Sequence, residues 1–186
     1  MTATSPTPFR ELLEALRSPG KDGQNRAFEA LSKATENPVA WAYELWDDLL
    51  LTLRNGDNRQ RSIAAQVLSN LAKSDPKQRM SKDLAALLRV TKDEHFVTAR
   101  HCLQSLWKIG VVGEPQRNAL LKGLVLRFEE CVSEKNCTLI RYDILVVLRR
   151  VYDLISDQKI RATAERLIAT EQDPKYRTKY ATVWRK

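Results

Sequence analysis

The sequence predicts an all-α protein, and more specifically an α-solenoid of about four to five stacked helix pairs. Apolar residues recur with the spacing of one helix face, as they do at Ile63, Ala64, Val67, Leu68 and Leu71. Breakers that contain proline or glycine separate segments of about 12 to 20 residues, which is an ordinary helix length. Similar segments also return every 35 to 38 residues, and this period indicates an array of helix pairs.

A Leu-Arg pair marks the repeat, because it returns near the end of successive apolar runs. The pairs are Leu16-Arg17, Leu53-Arg54, Leu88-Arg89 and Leu126-Arg127. Displaced by 35 positions, the stretch from Asp48 to Leu71 matches the stretch from Asp83 to Leu106 at its Asp, Leu and Ala positions. We expect the four leucines to be the last core contacts of successive first helices. Each arginine would then lie near the free carbonyls of a helix end.

Each repeat unit should join a first helix to a second helix through a short turn. The units are expected at residues 8–36, 38–73, 76–109 and 114–156. The helices are expected at residues 8–17, 23–36, 38–55, 58–73, 76–91, 94–109, 114–133 and 137–156. Capping helices at 158–171 and 174–184 would close the array, so that residues 1–186 form a single domain.

Turn signals in chain order set these limits. They are Ser18-Pro19-Gly20, Asn37-Pro38, Asn55-Gly56-Asp57, Asp75-Pro76, the stretch 110–115 and Asp173-Pro174. Asp57, Asp93 and Asp157 each precede a predicted helix. An aspartate in that position accepts hydrogen bonds from free backbone N–H groups, so we expect all three to be N-caps.

Two segments resemble the second helices of HEAT repeats, an armadillo-like family. They are DNRQRSIAAQVLSNLAK, from Asp57 to Lys73, and DEHFVTARHCLQSLWKIG, from Asp93 to Gly110. The family pattern is an Asp in the turn, a basic or apolar residue after it, small residues and then Leu-x-x-Leu. The first segment matches it with Asp57, Arg61, Ala64-Ala65, Leu68 and Leu71, and the second with Asp93, Val97, Ala99, Leu103 and Leu106. The second segment departs from the pattern in having Phe96 near the basic position.

The resemblance covers roughly residues 9 to 170. It implies a solenoid whose second helices line a concave face. It also implies an interaction scaffold, although the partners of such scaffolds are diverse.

No pattern typical of catalysis is present in the sequence. Six glycines make a phosphate-binding loop improbable, and His95 and His101 are spaced so that they lie on different sides of a helix. Neighbouring carboxylates such as Asp47 and Asp48 point about 100° apart on a helix. We therefore expect no catalytic residues, no metal site and no cofactor.

The cysteines and the N-terminus favour a cytoplasmic protein. Cys102 falls in the apolar register of its helix and is expected in the core, whereas Cys131 and Cys137 straddle a predicted turn. The latter two could approach each other, but free thiols are expected in a reducing compartment. The N-terminus lacks the pattern of a signal peptide, and the apolar run 144–148 is far shorter than a membrane span. We expect a monomer that does not enter a membrane.

Positive charge is concentrated in the second part of the chain. Residues 1–60 carry 7 Lys and Arg against 9 Asp and Glu, whereas residues 61–186 carry 24 against 14. Lys73, Lys108 and Arg150 occupy equivalent positions near the ends of second helices, where the first unit has Glu36. Such a row suits an acidic partner or a nucleic-acid backbone. Alternatively, each cation only opposes the helix macrodipole.

Aromatic residues are the other candidates for binding. Trp107 lies next to Lys108, Trp41, Tyr43 and Trp46 crowd one first helix, and Trp184 lies in a basic terminal segment with Tyr176 and Tyr180. Core packing is the alternative for Trp107. The partner-binding residues predicted for the concave face are Lys73, Lys108, Arg150, Gln66, Asn70, Gln104, Arg100 and Trp107.

These patterns predict a non-catalytic binding module that recognises a protein partner on its concave face. The alternative is a nucleic-acid-binding protein. In fold type, basicity and tryptophan content the chain is similar to HEAT-like DNA glycosylases that act on alkylated DNA. Their motif does not match this sequence residue by residue.

Overall fold

The computed structural model describes residues 8–185, and within them it contains eleven α-helices and no strand. In chain order the helices are α1 Pro8–Arg17, α2 Lys21–Ala34, α3 Ala42–Asn55, α4 Asn58–Leu71, α5 Met80–Val90, α6 Phe96–Ser105, α7 Trp107–Gly110, α8 Glu114–Glu130, α9 Cys137–Ile155, α10 Gln158–Thr170 and α11 Pro174–Trp184. Short 3₁₀ turns at Ala72–Ser74 and Cys131–Ser133 extend α4 and α8. The prediction of an all-α fold is confirmed.

The helices stack in two layers, as expected for a solenoid. Helices α1, α3, α5, α8 and α10 each pack on the next and form what we call the first-helix layer. Helices α2, α4, α6, α9 and α11 do the same and form the second-helix layer. Across the layers α1 pairs with α2, α3 with α4, α5 with α6, α8 with α9 and α10 with α11. The predicted capping helices thus form a fifth pair of the same kind.

Aspartates define the start of several helices. The Asp57 carboxylate accepts the Gln60 N–H at 2.8 Å, and the Gln60 side chain returns a bond to the Asp57 N–H, so α4 begins with a capping box. Asp157 caps α10 by accepting the Lys159 N–H at 2.9 Å. The sequence therefore identified these two caps correctly.

Asp93 is not the N-cap of α6, and the prediction for this residue was wrong. The helix starts at Phe96 with His95 in the N-cap position. The Asp93 carboxylate instead accepts two hydrogen bonds from Arg61, at 2.6 and 2.9 Å, and one from the His95 N–H. Burial opposes ionisation of Asp93, but these hydrogen bonds outweigh it and hold the pKa of Asp93 below its usual value. Asp93 therefore joins two neighbouring units.

The predicted helix 94–109 is interrupted at its end. The Leu106 N–H bonds to the Leu103 carbonyl and the Ile109 N–H bonds to the Leu106 carbonyl, so the last turn tightens to i→i−3 bonding. As a result α6 ends at Ser105 and α7 follows from Trp107 to Gly110. Helix α7 packs against both α8 and α9, which places Trp107 and Lys108 at a junction of units.

Two first helices begin later than expected, because side chains accept hydrogen bonds from backbone N–H groups at or before the helix start. Helix α3 starts at Ala42 rather than at residue 38, and the Val39 N–H donates to the Ser74 hydroxyl at 2.9 Å. Helix α5 starts at Met80 rather than at residue 76, and the Met80 N–H donates to the Asp75 carboxylate at 2.7 Å. Hydroxyl and carboxylate groups offer such N–H groups an alternative to helical bonding.

A continuous apolar core runs between the layers from Leu13 to Tyr180. Leu16 and Leu53 belong to it as predicted, and Leu88 is half-buried. Leu126 does not, because its side chain is 53% exposed, and the prediction for this residue was wrong. The buried stripe of α8 contains Leu120, Leu124 and Phe128. Residue 126 lies two positions from 124 and from 128, so it falls on the opposite side of the helix.

Candidate functional site

Two adjoining hollows lie on the second-helix layer, and we call them the Trp107 hollows. The first encloses about 330 Å³ and is lined by Phe28, Ser32, Glu36, Gln66, Asn70, Lys73, Trp107 and Lys108. The second encloses about 290 Å³ and is lined by Gln66, His101, Gln104, Ser105, Trp107, Lys108 and Arg150. The structure therefore brings together all of the predicted site residues except Arg100.

Trp107 forms the wall that the two hollows share. Its side chain is half-buried, and the Arg150 guanidinium carbon lies 4.0 Å from the ring centroid. The Lys108 ammonium lies 5.9 Å from the same centroid. Both distances fall within the range of cation–π attraction. Trp107 thus fixes the position of two cations from neighbouring units, and it is also packed against the core.

A chain of hydrogen bonds at the first hollow connects α7 to α4 and to the C-terminal end of α2. The Lys108 ammonium donates to the Asn70 side-chain carbonyl. The Asn70 amide in turn donates to the Thr35 hydroxyl at 3.0 Å. Asn70 is buried and binds Lys108, and its predicted role in partner binding stays a prediction. The chain fixes the lysine over the hollow.

Lys73 contacts the end of the preceding unit. Its ammonium donates to the backbone carbonyl of Glu36 at 2.7 Å, just beyond the end of α2. A cation in this place opposes the partial negative charge of helix-terminal carbonyls. The Lys73 side chain is nevertheless exposed, so a ligand in the hollow can reach the same ammonium.

The three predicted cations influence one another electrostatically. Burial is the largest cause that lowers the pKa of Lys108, and the positive charges of Lys73 and Arg150 lower it further. An anion placed in the hollows would offset this repulsion. Among the described residues that line the two hollows, Glu36 is the only carboxylate. The hollows are therefore predominantly positive.

Arg100 is engaged elsewhere. Its Nε donates to the Asp143 carboxylate at 2.7 Å, and Asp143 has a side chain only 4% exposed. The Gln104 amide donates to the same carboxylate at 3.2 Å. This ion pair joins α6 to α9. The role of Arg100 in partner binding stays a prediction, and its guanidinium already has a buried partner.

The remaining aromatic candidates lie outside the Trp107 hollows. Trp46 is fully buried and donates to Asp83 at 2.8 Å, while Trp41 stacks on Phe9 with ring centroids 3.8 Å apart. Trp184 packs against Tyr152 with a centroid distance of 5.6 Å. These rings hold helices together.

Sequence reasoning missed the first unit's share of the site. Phe28, Ser32 and Glu36 follow one another at intervals of four, so they occupy one face of α2 and of the turn after it. That spacing is the signal that the sequence contains. The register of cations does not include it, because the first unit has an acid, Glu36, where the other units have a cation.

Two further findings concern the described part of the chain. Within residues 8–185 no group of three or more potential metal ligands is brought together. None of the helices in that range is at once long and apolar enough to cross a membrane.

Fold and hollows together define a helical solenoid with a basic, tryptophan-lined depression on its second-helix layer. Scanned against protein-family models and against curated proteins, the chain gives no match. Among solved structures it is similar to a chain of "The structure of the complex of CpcE and CpcF of phycocyanin lyase from Nostoc sp. PCC7120". The TM-score is 0.63 and the identity 15%, over 95% of this chain and 98% of that chain. At this identity the likeness shows the fold.

Proposed function

We propose that the protein is a non-catalytic binding module of the HEAT-repeat type that recognises an acidic segment of a protein partner in the Trp107 hollows. The convergence of Lys73, Lys108 and Arg150 around Trp107 carries the proposal. These cations come from three successive units, and the structure gives them few carboxylate neighbours within the hollows. Carboxylates of a partner would supply the missing counter-charge.

A protein partner fits this site better than nucleic acid does. The Arg150 guanidinium carbon covers one face of Trp107 at 4.0 Å from the ring centroid, so a base could stack on that face only by displacing Arg150. Next to the hollows, Arg100 is neutralised by Asp143. A nucleic-acid backbone needs a longer run of unpaired cations. The similar solved structure is itself a complex of two proteins, which favours a protein partner for a chain of this shape.

The proposal also keeps the expectation from the sequence that the module is a cytoplasmic monomer. At the site itself, Gln66 and Gln104 would act as adaptable hydrogen-bonding groups at the edges of the hollows. Gln104 is exposed and Gln66 half-buried. Both side chains can donate to a carboxylate and accept from a backbone N–H.

Charge reversal with a matched control tests the proposal. The variant Lys73→Glu/Arg150→Glu changes two exposed cations of the hollows, and Lys82→Glu/Lys122→Glu changes two exposed lysines of the first-helix layer by the same net charge. We expect the first variant to bind a fluorescent oligoglutamate peptide at least about 10-fold more weakly. It should also lose proteins that the wild type captures from its source lysate, whereas the control variant should retain both activities.

Equal binding by the two variants would remove the hollows as the site. A titration with duplex DNA tests the alternative that the partner is nucleic acid. If the wild type does not bind the peptide but binds duplex DNA with an affinity that falls steeply with salt, nucleic acid is the partner.

Because the pKa of Lys108 is lowered, the affinity for the peptide should also weaken as the pH is raised, at a lower pH than an ordinary lysine would require.

A further inference from the structure

The thiols of Cys131 and Cys137 meet at the turn that connects α8 to α9. Their Sγ atoms lie 2.7 Å apart, and the Cys131 sulfur also lies 3.8 Å from the Cys137 carbonyl. A disulfide bond measures ~2.05 Å, so the sulfurs need to move only a few tenths of an ångström to bond. Both cysteines are free thiols in the structure.

The turn is held in shape by contacts that do not involve the thiols. The Glu134 N–H donates to the Cys131 carbonyl at 2.8 Å, and the Cys137 N–H donates to the Glu134 carbonyl at 3.0 Å. The Glu134 carboxylate is bound by Arg127 at 2.6 and 2.7 Å. The close approach of the sulfurs is therefore imposed by the fold around them.

We propose that Cys131 and Cys137 form a reversible intrachain disulfide by exchange with a low-molecular-weight disulfide such as oxidised glutathione. The proposal concerns the junction of α8 and α9 and does not depend on partner binding in the Trp107 hollows. It assigns the thiol pair a redox modification, for which a two-electron oxidant of the disulfide class is required.

The two cysteines differ in access, and this sets their order in the exchange. Cys137 is half-buried, whereas Cys131 is fully buried. The Cys137 thiolate attacks one sulfur of the small disulfide, forms a mixed disulfide and releases one thiolate. Cys131 then attacks Cys137 Sγ, its proton passes to the departing second thiolate, and the protein disulfide forms. Two protein thiols are oxidised and one small disulfide is reduced to two thiols.

The surroundings of Cys131 suit the role of the second nucleophile. Burial and the hydrogen bond with Cys137 raise the pKa of Cys131 to about 12, so Cys131 is protonated at neutral pH and does not make the first attack. The positive charges of Arg141 and Arg127 act in the opposite direction and favour the thiolate as it forms. Cys102 is also buried but lies in α6, where its sulfur contacts the Leu87 carbonyl at 3.3 Å. It therefore serves as an internal control.

Counting thiols tests the proposal on the full chain. The protein is equilibrated with oxidised and reduced glutathione at a series of ratios, quenched with acid, denatured and alkylated. We expect wild type to go from three alkylated cysteines to one, and Cys102→Ser from two to none. Peptide mass mapping should find Cys131 joined to Cys137 in both proteins, and reduced glutathione should restore the thiols.

Variants of Cys131 and Cys137 distinguish the two steps of the thiol–disulfide exchange. Cys131→Ala should stop at a glutathione adduct on Cys137, and Cys137→Ser should lose thiols at least about 10-fold more slowly than wild type. Circular dichroism checks that each variant is folded. Three thiols that persist in wild type, a stable glutathione adduct without a protein disulfide, or a bond only between chains would each overturn the proposal. Peptide mass mapping of wild type and of Cys102→Ser tests the proposal even if Cys131→Ala does not fold.

Discussion

Arg127 is the most deeply buried arginine of the four Leu-Arg pairs. Its side chain is 2% exposed, and its Nε and Nη2 atoms donate to the Thr91 carbonyl at 3.2 and 3.0 Å. The same guanidinium binds Glu134. Arg17 makes a related contact, because its Nη2 donates to the Asp48 carbonyl of the next unit at 2.7 Å. Both arginines therefore fasten one unit to its neighbour, whereas Arg54 and Arg89 are exposed.

Replacing Arg127 should cost far more stability than replacing its counterpart Arg54. Arg127→Met keeps much of the side-chain volume but leaves the buried Thr91 carbonyl without its donors. We expect the free energy of unfolding to fall by about 3 kcal/mol. Arg54→Met should change it by less than about 0.5 kcal/mol, because this arginine is exposed. Urea unfolding followed by circular dichroism measures both, and similar losses in the two variants would contradict the assignment.

The difference between these arginines could not be predicted from the dipeptide. The pair at 126–127 has the same spacing as the others, yet α8 buries position 127 and exposes position 126. The helical phase of α8 depends on its packing against α5 and α9. Local sequence does not contain that information.

At the scale of helices, α5 packs against α8 with Leu88 next to Gly123. A Cβ atom built on Gly123 would lie 2.4 Å from Leu88 Cδ1, a distance that real Cβ contacts do not show. Gly123 therefore allows the half-buried Leu88 to lie directly against the α8 backbone. The present position of the Leu88 side chain depends on the absence of a side chain at residue 123.

Gly123→Ala should destabilise the protein by about 1 kcal/mol, because displacing the half-buried Leu88 side chain costs about 1–3 kcal/mol, while the higher helix propensity of alanine offsets up to about 1 kcal/mol of that cost. Combining it with Leu88→Ala should relieve the clash, so the double variant should lose less stability than the sum of the single changes. Gly23→Ala is the matched control. Gly23 lies in α2, and its added Cβ would be 3.9 Å from the nearest atom, Ala15 O. This variant should gain up to about 1 kcal/mol. If thermal unfolding shows that the stability losses of Leu88→Ala and Gly123→Ala simply add in the double variant, the close contact is refuted.

Most of the helices could be predicted from the sequence, and the differences from the structure lie at the helix ends. The apolar period and the proline- and glycine-containing breakers predicted the number and order of the long helices. Asp57 and Asp157 marked the starts of two of them. The sequence did not show that α6 stops at Ser105, since Leu106 continues the apolar stripe without a change. The tightening there reflects tertiary packing of α7 on α8 and α9, which outweighs the local pattern.

Over the whole molecule, ion pairs connect each unit to an adjacent one. The pairs include Arg17–Asp48, Arg61–Asp93, Arg100–Asp143 and Arg141–Glu171. The last unit is also attached through Tyr180, which is fully buried in α11 and donates to the Thr138 carbonyl at 3.0 Å. In such an array the ends have one neighbour rather than two, so they open more easily than the middle.

Tyr180→Ala should release α11 while leaving the earlier units folded. The change creates a cavity beside Phe128, whose ring centroid lies 6.4 Å from that of Tyr180, and should cost about 3–5 kcal/mol of local stability. We expect trypsin to cleave within residues 174–185 at least about 10-fold faster than in wild type. Tyr180→Phe keeps the ring but loses the hydrogen bond to Thr138, at a cost of about 1 kcal/mol, so it should be cleaved faster than wild type and more slowly than Tyr180→Ala. Simultaneous cleavage throughout the chain of Tyr180→Ala would argue against separate opening of the end.

The site was predictable at this scale only in part. The repeat register placed Lys73, Lys108 and Arg150 in equivalent positions, and all three line the Trp107 hollows. The register could not show that Asp143 captures Arg100 or that Arg150 covers Trp107. Those contacts depend on side-chain conformations across units. The share of α2 in the first hollow depends likewise on the packing of α2 on α4.

The ion pairs between adjacent units also bear on how such a chain can change length. A donor in one unit finds its acceptor in the next, as Arg61 finds Asp93 and Arg100 finds Asp143. A tandem duplication of one complete unit would create one new junction, at which a donor meets a copy of its own unit instead of its present acceptor. A duplicated third unit, for example, would place Arg100 opposite a second copy of His101, which holds the repeat position of Asp143. Each junction therefore has its own donor and acceptor, and adding a whole unit requires compensating changes at the new junction.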